Sequence, residues 1–264
     1  MIKIENTEVM GWEAAIRGMR NPMNSWEKSD SGWDAHIPPL ELRNQIDWAD
    51  YAKRYMCVQE DSEYSYDVGP NDASLMIKLR NAGTDHRKFM RMITVYLDVT
   101  APLYWWKEFD TYKVGTVANS CSTMHKITAK EFEVDDFSYD HLIRSPEMGA
   151  DEIDIRISPM QALLTTIECL NGYRNAYLKA KENGADGFTL KRYWWQMIQL
   201  LPSSYNQKRT VMLNYEVLAN IYKSRRNHKL DEWHTFCNWI ESLPYSELIT
   251  GIIDWPKQPA EVSE

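Results

Sequence analysis

The chain has 264 residues, a formal charge of -8 and 44% hydrophobic side chains. That apolar fraction excludes a disordered chain and is enough for a sizeable core. The acidic balance argues against wholesale binding of duplex nucleic acid, which demands a basic footprint, but a single nucleotide needs only a local basic pocket. Eleven Trp and fifteen Tyr are many for this length, and such amphipathic rings suit subunit interfaces.

The opening Met1-Ile2-Lys3-Ile4-Glu5-Asn6 is charged, and no stretch approaches the ~20 apolar residues of a membrane span. A cytoplasmic protein with no membrane association is expected. Cys57, Cys121, Cys169 and Cys237 are scattered without C-x-x-C pairs, so they read as free thiols rather than a disulfide framework or a zinc site. A strand is predicted from Ile2 to Val9, then a helix through Glu13, Ile16 and Met19. Residues 21–40 lose periodicity and gather Asn, Pro, Ser and Gly, which marks a loop insertion. A second irregular stretch, Glu60 to Pro70, precedes a helix capped by Asn71 or Asp72 and stopped at Gly83. Phe89 to Val99 alternates as a strand, with Ile93, Val95, Leu97 and Val99 on one side. Pro102 opens a helix through Tyr104, Trp105, Trp106 and Phe109. Tyr112 to Thr123 has the Gly, Asn, Thr and Ser density of a turn around a ligand.

The C-terminal half reads as helical. Ser158-Pro159-Met160-Gln161 combines an N-cap, a first-turn proline and a capping-box glutamine, opening a helix to about Gly184. Further helices are expected at about Leu190–Leu201, Gln207–Ser224 and Lys229–Ser242. Residues 1–255 form a single α/β domain on this reading, with a frayed tail at 256–264.

On a helix spanning 207–224, Asn214 and Arg225 return to nearly the same azimuth at about 100° per residue, with Asn220 beside them. Asn supplies donor and acceptor, and Arg a fork suited to phosphate or a pyrimidine edge; a solvated face is the plainer alternative. The basic run Lys223, Arg225, Arg226, Lys229 is either a phosphate pocket or a complement to the helix dipole. Cys121 and His125 make only two ligands, too few for a metal site. His228 and His234 do not share a helical face. No H-E-x-x-H, G-x-G-x-x-G or Walker loop occurs.

Two separated segments carry a family likeness. From His86 through Ala101-Pro102 to Met124, the order is a helix stop, a His, an alternating strand, an Ala-Pro helix start and a hydroxyl-rich turn. Leu201-Pro202 is followed by Asn214, Asn220 and Arg225. In order and spacing these resemble the flavin-dependent thymidylate synthases. The resemblance implies an α/β (α+β) fold of the thymidylate synthase complementing protein type, a twisted, largely antiparallel sheet flanked by helices, assembled as a homotetramer with sites between subunits. It implies reductive methylation at C5 of dUMP, using methylenetetrahydrofolate, reduced FAD and NADPH. His86, Lys88, Lys113, Asn214 and Asn220 would face the flavin. Glu108, Thr116, Asn119, Cys121, Thr123 and Arg225 would face the nucleotide, with Lys113 near both.

The chain departs from the family pattern where its best-known motif should stand. An Arg-His-Arg triplet reads here as Thr111-Tyr112-Lys113, a Ser as Thr116, and a Ser-x-Arg-Tyr as Cys121-Ser122-Thr123-Met124. Glu108 replaces a Gln, Asn119 a Glu, and Ile198 an Arg, with Gln196 and Gln199 nearby. Lys is a point charge where the family has planar forks. The thiol of Cys121 introduces a possible nucleophile toward a pyrimidine ring, although a buried small hydrophobe is the commoner role of a free cysteine. The alternatives are a relative with altered specificity, such as a hydroxymethylase on another pyrimidine monophosphate, and a non-catalytic nucleotide sensor or assembly subunit.

Overall fold

A computed structural model describes residues 2–33, 66–145 and 156–251. The elements are β1 (Lys3–Met10), α1 (Trp12–Arg20), β2 (Gly32–Trp33), β3 (Tyr66–Asp67), α2 (Pro70–Asn81), β4 (Thr94–Pro102), α3 (Leu103–Phe109), β5 (Val117–Ser120), α4 (Thr123–Lys126), α5 (Pro159–Glu182), α6 (Gly187–Leu200), β6 (Asn206–Asn214), α7 (Tyr215–Arg225), α8 (Asp231–Glu241) and α9 (Glu247–Thr250). Four strands pair in the order β1-β4-β6-β5, in an antiparallel sheet flanked by helices. A separate antiparallel ribbon sets Trp33 opposite Tyr66. Among the described residues no helix is long and apolar enough to cross a membrane, and no group of three or more His, Cys, Asp or Glu is placed to hold a metal ion. Cys57, residues 34–40, residues 60–65 and the tail at 256–264 lie outside the described residues.

The chain contacts divide into two compact units. The first holds Val99–Thr111 and Asn119–Arg209 with the N-terminal residues to Lys3. Its α3 is built on aromatic packing: Trp105, Trp106 and Phe109 are all buried, with ring centroids 4.9 to 5.3 Å apart. Pro102 ends β4 and stands at the N-cap of α3 rather than in its first turn. The long helix α5 starts as its sequence demands, since the Ser158 hydroxyl accepts from Gln161 N at 3.2 Å. It ends at Glu182, just before Gly184 with φ +70°. Asp186 caps α6 by accepting from Thr189 N at 2.7 Å, and that backbone bond holds its carboxyl below the usual carboxylate range. Leu163, Ile167 and Leu170 of α5 and Met197 of α6 form a core with Ile127, Phe132 and Phe137.

The second unit holds Ile4–Asp98, Tyr112–Ala118 and Thr210 onward. Here β1 and α1 follow the predicted boundaries closely. The helix α2, however, is capped by neither Asn71 nor Asp72. Its N-cap is Gly69, and the donors of its first turn are satisfied by Asp30, whose carboxylate accepts from Asn71 N at 2.8 Å and Asp72 N at 3.1 Å. A Cβ on Gly69 would lie 2.3 Å from Asp30 Cγ, so only glycine allows that approach. Asp72 is instead fully buried and accepts from Arg20, Ser29, Ser31 and two loop amides. The segment 21–33 is therefore ordered by charge, in 3-10 turns at Asn21–Met23 and Trp26–Lys28 and in β2.

Further sequence expectations need correction. The strand predicted from Phe89 begins only at Thr94, because Arg87–Arg91 forms a 3-10 turn that buries Phe89 and Met90 together. Two consecutive buried residues break the strand period of two. The helix predicted at Gln207–Ser224 is a strand, β6, followed by α7. Val211 and Leu213 are buried and alternate, and pairing with two strands overrides the helix propensity of Gln, Lys, Arg, Met and Leu. Asn214 thus ends a strand and caps a helix, and the shared azimuth with Arg225 does not apply. Within the segment read as a ligand turn, 112–123, lie β5 and the start of α4.

Candidate functional site

In the second unit, the turn after α2 and the helix α7 are brought side by side by residues that no motif indicates. His86 begins the 3-10 turn, its amide donating to Gly83 O at 3.1 Å, and its imidazole and Lys88 are exposed. Between them Arg87 donates from Nε to Glu216 Oε1 at 3.4 Å and from Nη2 to Asn220 Oδ1 at 3.3 Å. Arg91 donates to the other oxygen of Glu216. Glu216 is 7% exposed. Burial pushes its carboxyl up, but the Arg91 bond and the charges of Arg91 and Arg87 outweigh that and hold it below the usual range. The backbone adds a tie, since Tyr215 N donates to Ile93 O at 3.1 Å.

The loop 112–118 meets the start and the end of α7. Asn214 is buried, and its side-chain oxygen accepts from Val217 N at 3.1 Å, closing the first turn. Gly115, with φ +79°, lies so close that a Cβ there would stand 3.0 Å from Asn214 Nδ2 and 3.1 Å from Val217 Cγ2. Next to it the Thr116 hydroxyl oxygen is buried with no hydrogen-bond partner among the described residues, a polar atom that a ligand would satisfy. Lys113 is exposed. At the far end of the helix Arg225 donates from Nε to Tyr112 Oη at 2.9 Å, and its guanidinium lies 4.7 Å from the Trp233 ring centroid and 5.6 Å from that of Tyr112.

A cleft of about 380 Å³ opens beside α7, lined by Arg80, Arg87, Asn220, Lys223, Arg226 and neighbours, with four cations and no carboxylate among its described lining residues. Burial, and then the charge of Arg87, lower the pKa of Arg80, while Arg87 and Arg226 are paired with Glu216 and Glu241. Volume and charge suit a phosphate-bearing ligand.

The remaining predicted residues belong to the first unit. Glu108 is half-buried on α3, where its carbonyl accepts from Thr111 Oγ1 at 2.8 Å. Asn119 is exposed on β5. Cys121 is exposed, and its amide donates to Lys208 O at 3.0 Å. Gln207 joins Cys121 to Thr123: its Nε2 donates to the Cys121 carbonyl at 3.1 Å and to Thr123 Oγ1 at 3.0 Å. The same Gln207 accepts from Arg209 Nε at 3.0 Å, and Arg209 also pairs with Asp110 at 2.7 Å and covers the Trp106 ring at 4.2 Å. His125 donates its amide to Ser122 as part of the α4 cap. Ile198 packs on the α5–α6 core.

Sequence reading missed Arg87, Arg91, Glu216, Gln207 and Arg209. The alternation of Gln207 and Arg209 on a strand was the available signal for the last two; the first three are long-range pairs that no period encodes.

The arrangement is that of an α/β fold shared with flavin-dependent thymidylate synthases. In particular, the chain is similar to thymidylate synthase X (ThyX) from Helicobacter pylori crystallised with FAD and dUMP, at a TM-score of 0.56 and 12% identity, over 95% of this chain and 97% of that one. A second structure of the H. pylori flavin-dependent enzyme with FAD and dUMP gives 0.56 and 13%, over 94% and 97%. No known protein-family profile matches the sequence, and no curated protein does.

Proposed function

We propose that this protein binds FAD and a pyrimidine nucleoside monophosphate and acts as a flavin-dependent thymidylate synthase-like enzyme, methylating C5 of dUMP. The reading is carried by one observation: on a fold likened along nearly its whole length to enzymes crystallised with FAD and dUMP, the first motif segment meets α7 of the second at two places, through Arg87 on Asn220 and through Tyr112 on Arg225. The residues present fit a flavin dinucleotide, because four cations line the cleft and only two of them, Arg87 and Arg226, are paired with carboxylates, Glu216 and Glu241; the buried Thr116 hydroxyl, with no partner among the described residues, suits the nucleotide.

On this reading His86, Lys88, Lys113, Asn214 and Asn220 hold the flavin, and Arg87 orients the Asn220 amide. Arg225 meets the nucleotide, with Thr116 toward it, and Lys113 supplies a cation between the two. Bound FAD would supply the hydride that reduces the one-carbon unit of methylenetetrahydrofolate, with NADPH as reductant. Asn214 and Gly115 keep the loop and the start of α7 in register, so the ligands meet a preformed wall. We further propose a homotetramer, favoured by exposed Leu164, Phe188, Trp195 and Leu200 on α5 and α6.

Purified protein incubated with FAD, washed and scanned for bound-flavin absorbance is expected to retain the cofactor. FAD and dUMP at about 100 times their Kd should each add about 2.7 kcal/mol to native stability, read as a rise in Tm. Colourless protein whose Tm neither ligand moves would falsify the proposal. Retention of nucleotide without flavin, or turnover to a product other than dTMP, would favour a sensor or an altered-specificity relative such as a hydroxymethylase. That second reading is favoured by Thr111 and Tyr112, which are engaged in intramolecular bonds where the family carries charged residues.

A further inference from the structure

We propose that Tyr112 and Trp233 are positioning residues that preset Arg225 for the nucleotide; this rests on the reading of Arg225 as a nucleotide-binding group. An arginine side chain carries about 2 kcal/mol of rotamer entropy, and an unsupported one loses it on gripping a ligand. Arg225 is supported on two sides. Trp233 is fully buried and offers a rigid ring 4.7 Å from the guanidinium carbon, the distance of a cation–π contact. Tyr112 accepts from Nε at 2.9 Å and stands edge-on to Trp233, with ring centroids 6.2 Å apart.

With the Nε bonded to Tyr112 and the guanidinium carbon over the Trp233 ring, two separate contacts restrict the rotamers open to Arg225. Trp233 is held in turn by Phe236, whose ring lies 5.9 Å away, and by His228 at 6.3 Å. The clamp therefore runs from the core of α8 out to the end of α7, and Tyr112 is what the loop 112–118 contributes to it.

The test is calorimetric titration of dUMP into the full chain loaded with FAD. Tyr112→Phe, which keeps the ring and removes the acceptor, is expected to weaken dUMP binding about tenfold, with FAD retention and Tm unchanged. In an Arg225→Ala background, Tyr112→Phe should have no further effect. Wild-type affinity in Tyr112→Phe, or an undiminished loss on top of Arg225→Ala, each overturns the clamp. Wild-type protein that binds no dUMP overturns the nucleotide reading, and the clamp with it. Trp233→Phe, which retains an aromatic face, should weaken binding less than Tyr112→Phe if the protein stays folded by circular dichroism; a larger loss with intact fold counts against the acceptor role.

Discussion

At the scale of single residues, buried charge decides more than any motif. Asp72 and Arg20 are 0% and 4% exposed and pair at 2.6 Å, and Arg20 also donates to the carbonyls of Ser25 and Lys28. Burial pushes the Asp72 carboxyl up, yet the bonds from Ser31, Ser29 and Arg20 hold it below its ordinary value of 3.8. A carboxylate whose folded pKa is depressed contributes stability that is fully present above the unfolded value and lost as pH falls through the folded one. Glu216 acts with the same sign. The denaturant midpoint of the wild type should therefore fall as pH drops below about 4. Asp72→Ala strands a buried guanidinium and should cost about 3–5 kcal/mol at neutral pH, with a shallower acid dependence. A variant as stable as the wild type at pH 7 would show that the pair holds nothing together.

At the scale of elements, the junction of β6, α7 and the loop 112–118 turns on Gly115. Its φ of +79° is in the left-handed region, and a Cβ there would stand 3.0 Å from the Asn214 amide nitrogen. Gly115→Ala should destabilise the protein by about 1–2 kcal/mol, seen in urea unfolding, and weaken flavin retention by disturbing Asn214; undisturbed retention would remove Asn214 from the cofactor wall. The sequence was legible wherever an element has a period or a cap: Ser158 and Pro159 mark the start of α5, Gly83 follows the end of α2, and Ile93 to Val99 mark the buried side of β4 and its approach. It misled at Gln207 to Met212, where helix-favouring side chains are recruited into a sheet by their neighbours. The proposed site was half legible. Spacing and family likeness picked out His86, Asn214, Asn220 and Arg225, but Arg87, Glu216 and Tyr112, which tie these segments together in space, carry no periodic mark.

For the whole molecule, the exposed Leu164, Phe188, Trp195 and Leu200 lead to an expected tetramer in light scattering. Trp195→Asp should shift it to smaller species, because an uncompensated charge in an apolar contact is costly. A wild-type monomer at micromolar concentration would end the assembly proposal. One consequence follows from the cationic cleft beside α7. The molecule as a whole carries -8, while four guanidinium and ammonium groups, two of them paired with Glu216 and Glu241, gather at one opening. An approaching anion is thus repelled at long range and drawn in only within about a Debye length, ~10 Å at 0.1 M salt. Ionic strength then acts in two directions, thinning the outer barrier to encounter while loosening the final grip, so capture is quickest in a window of salt rather than at either extreme.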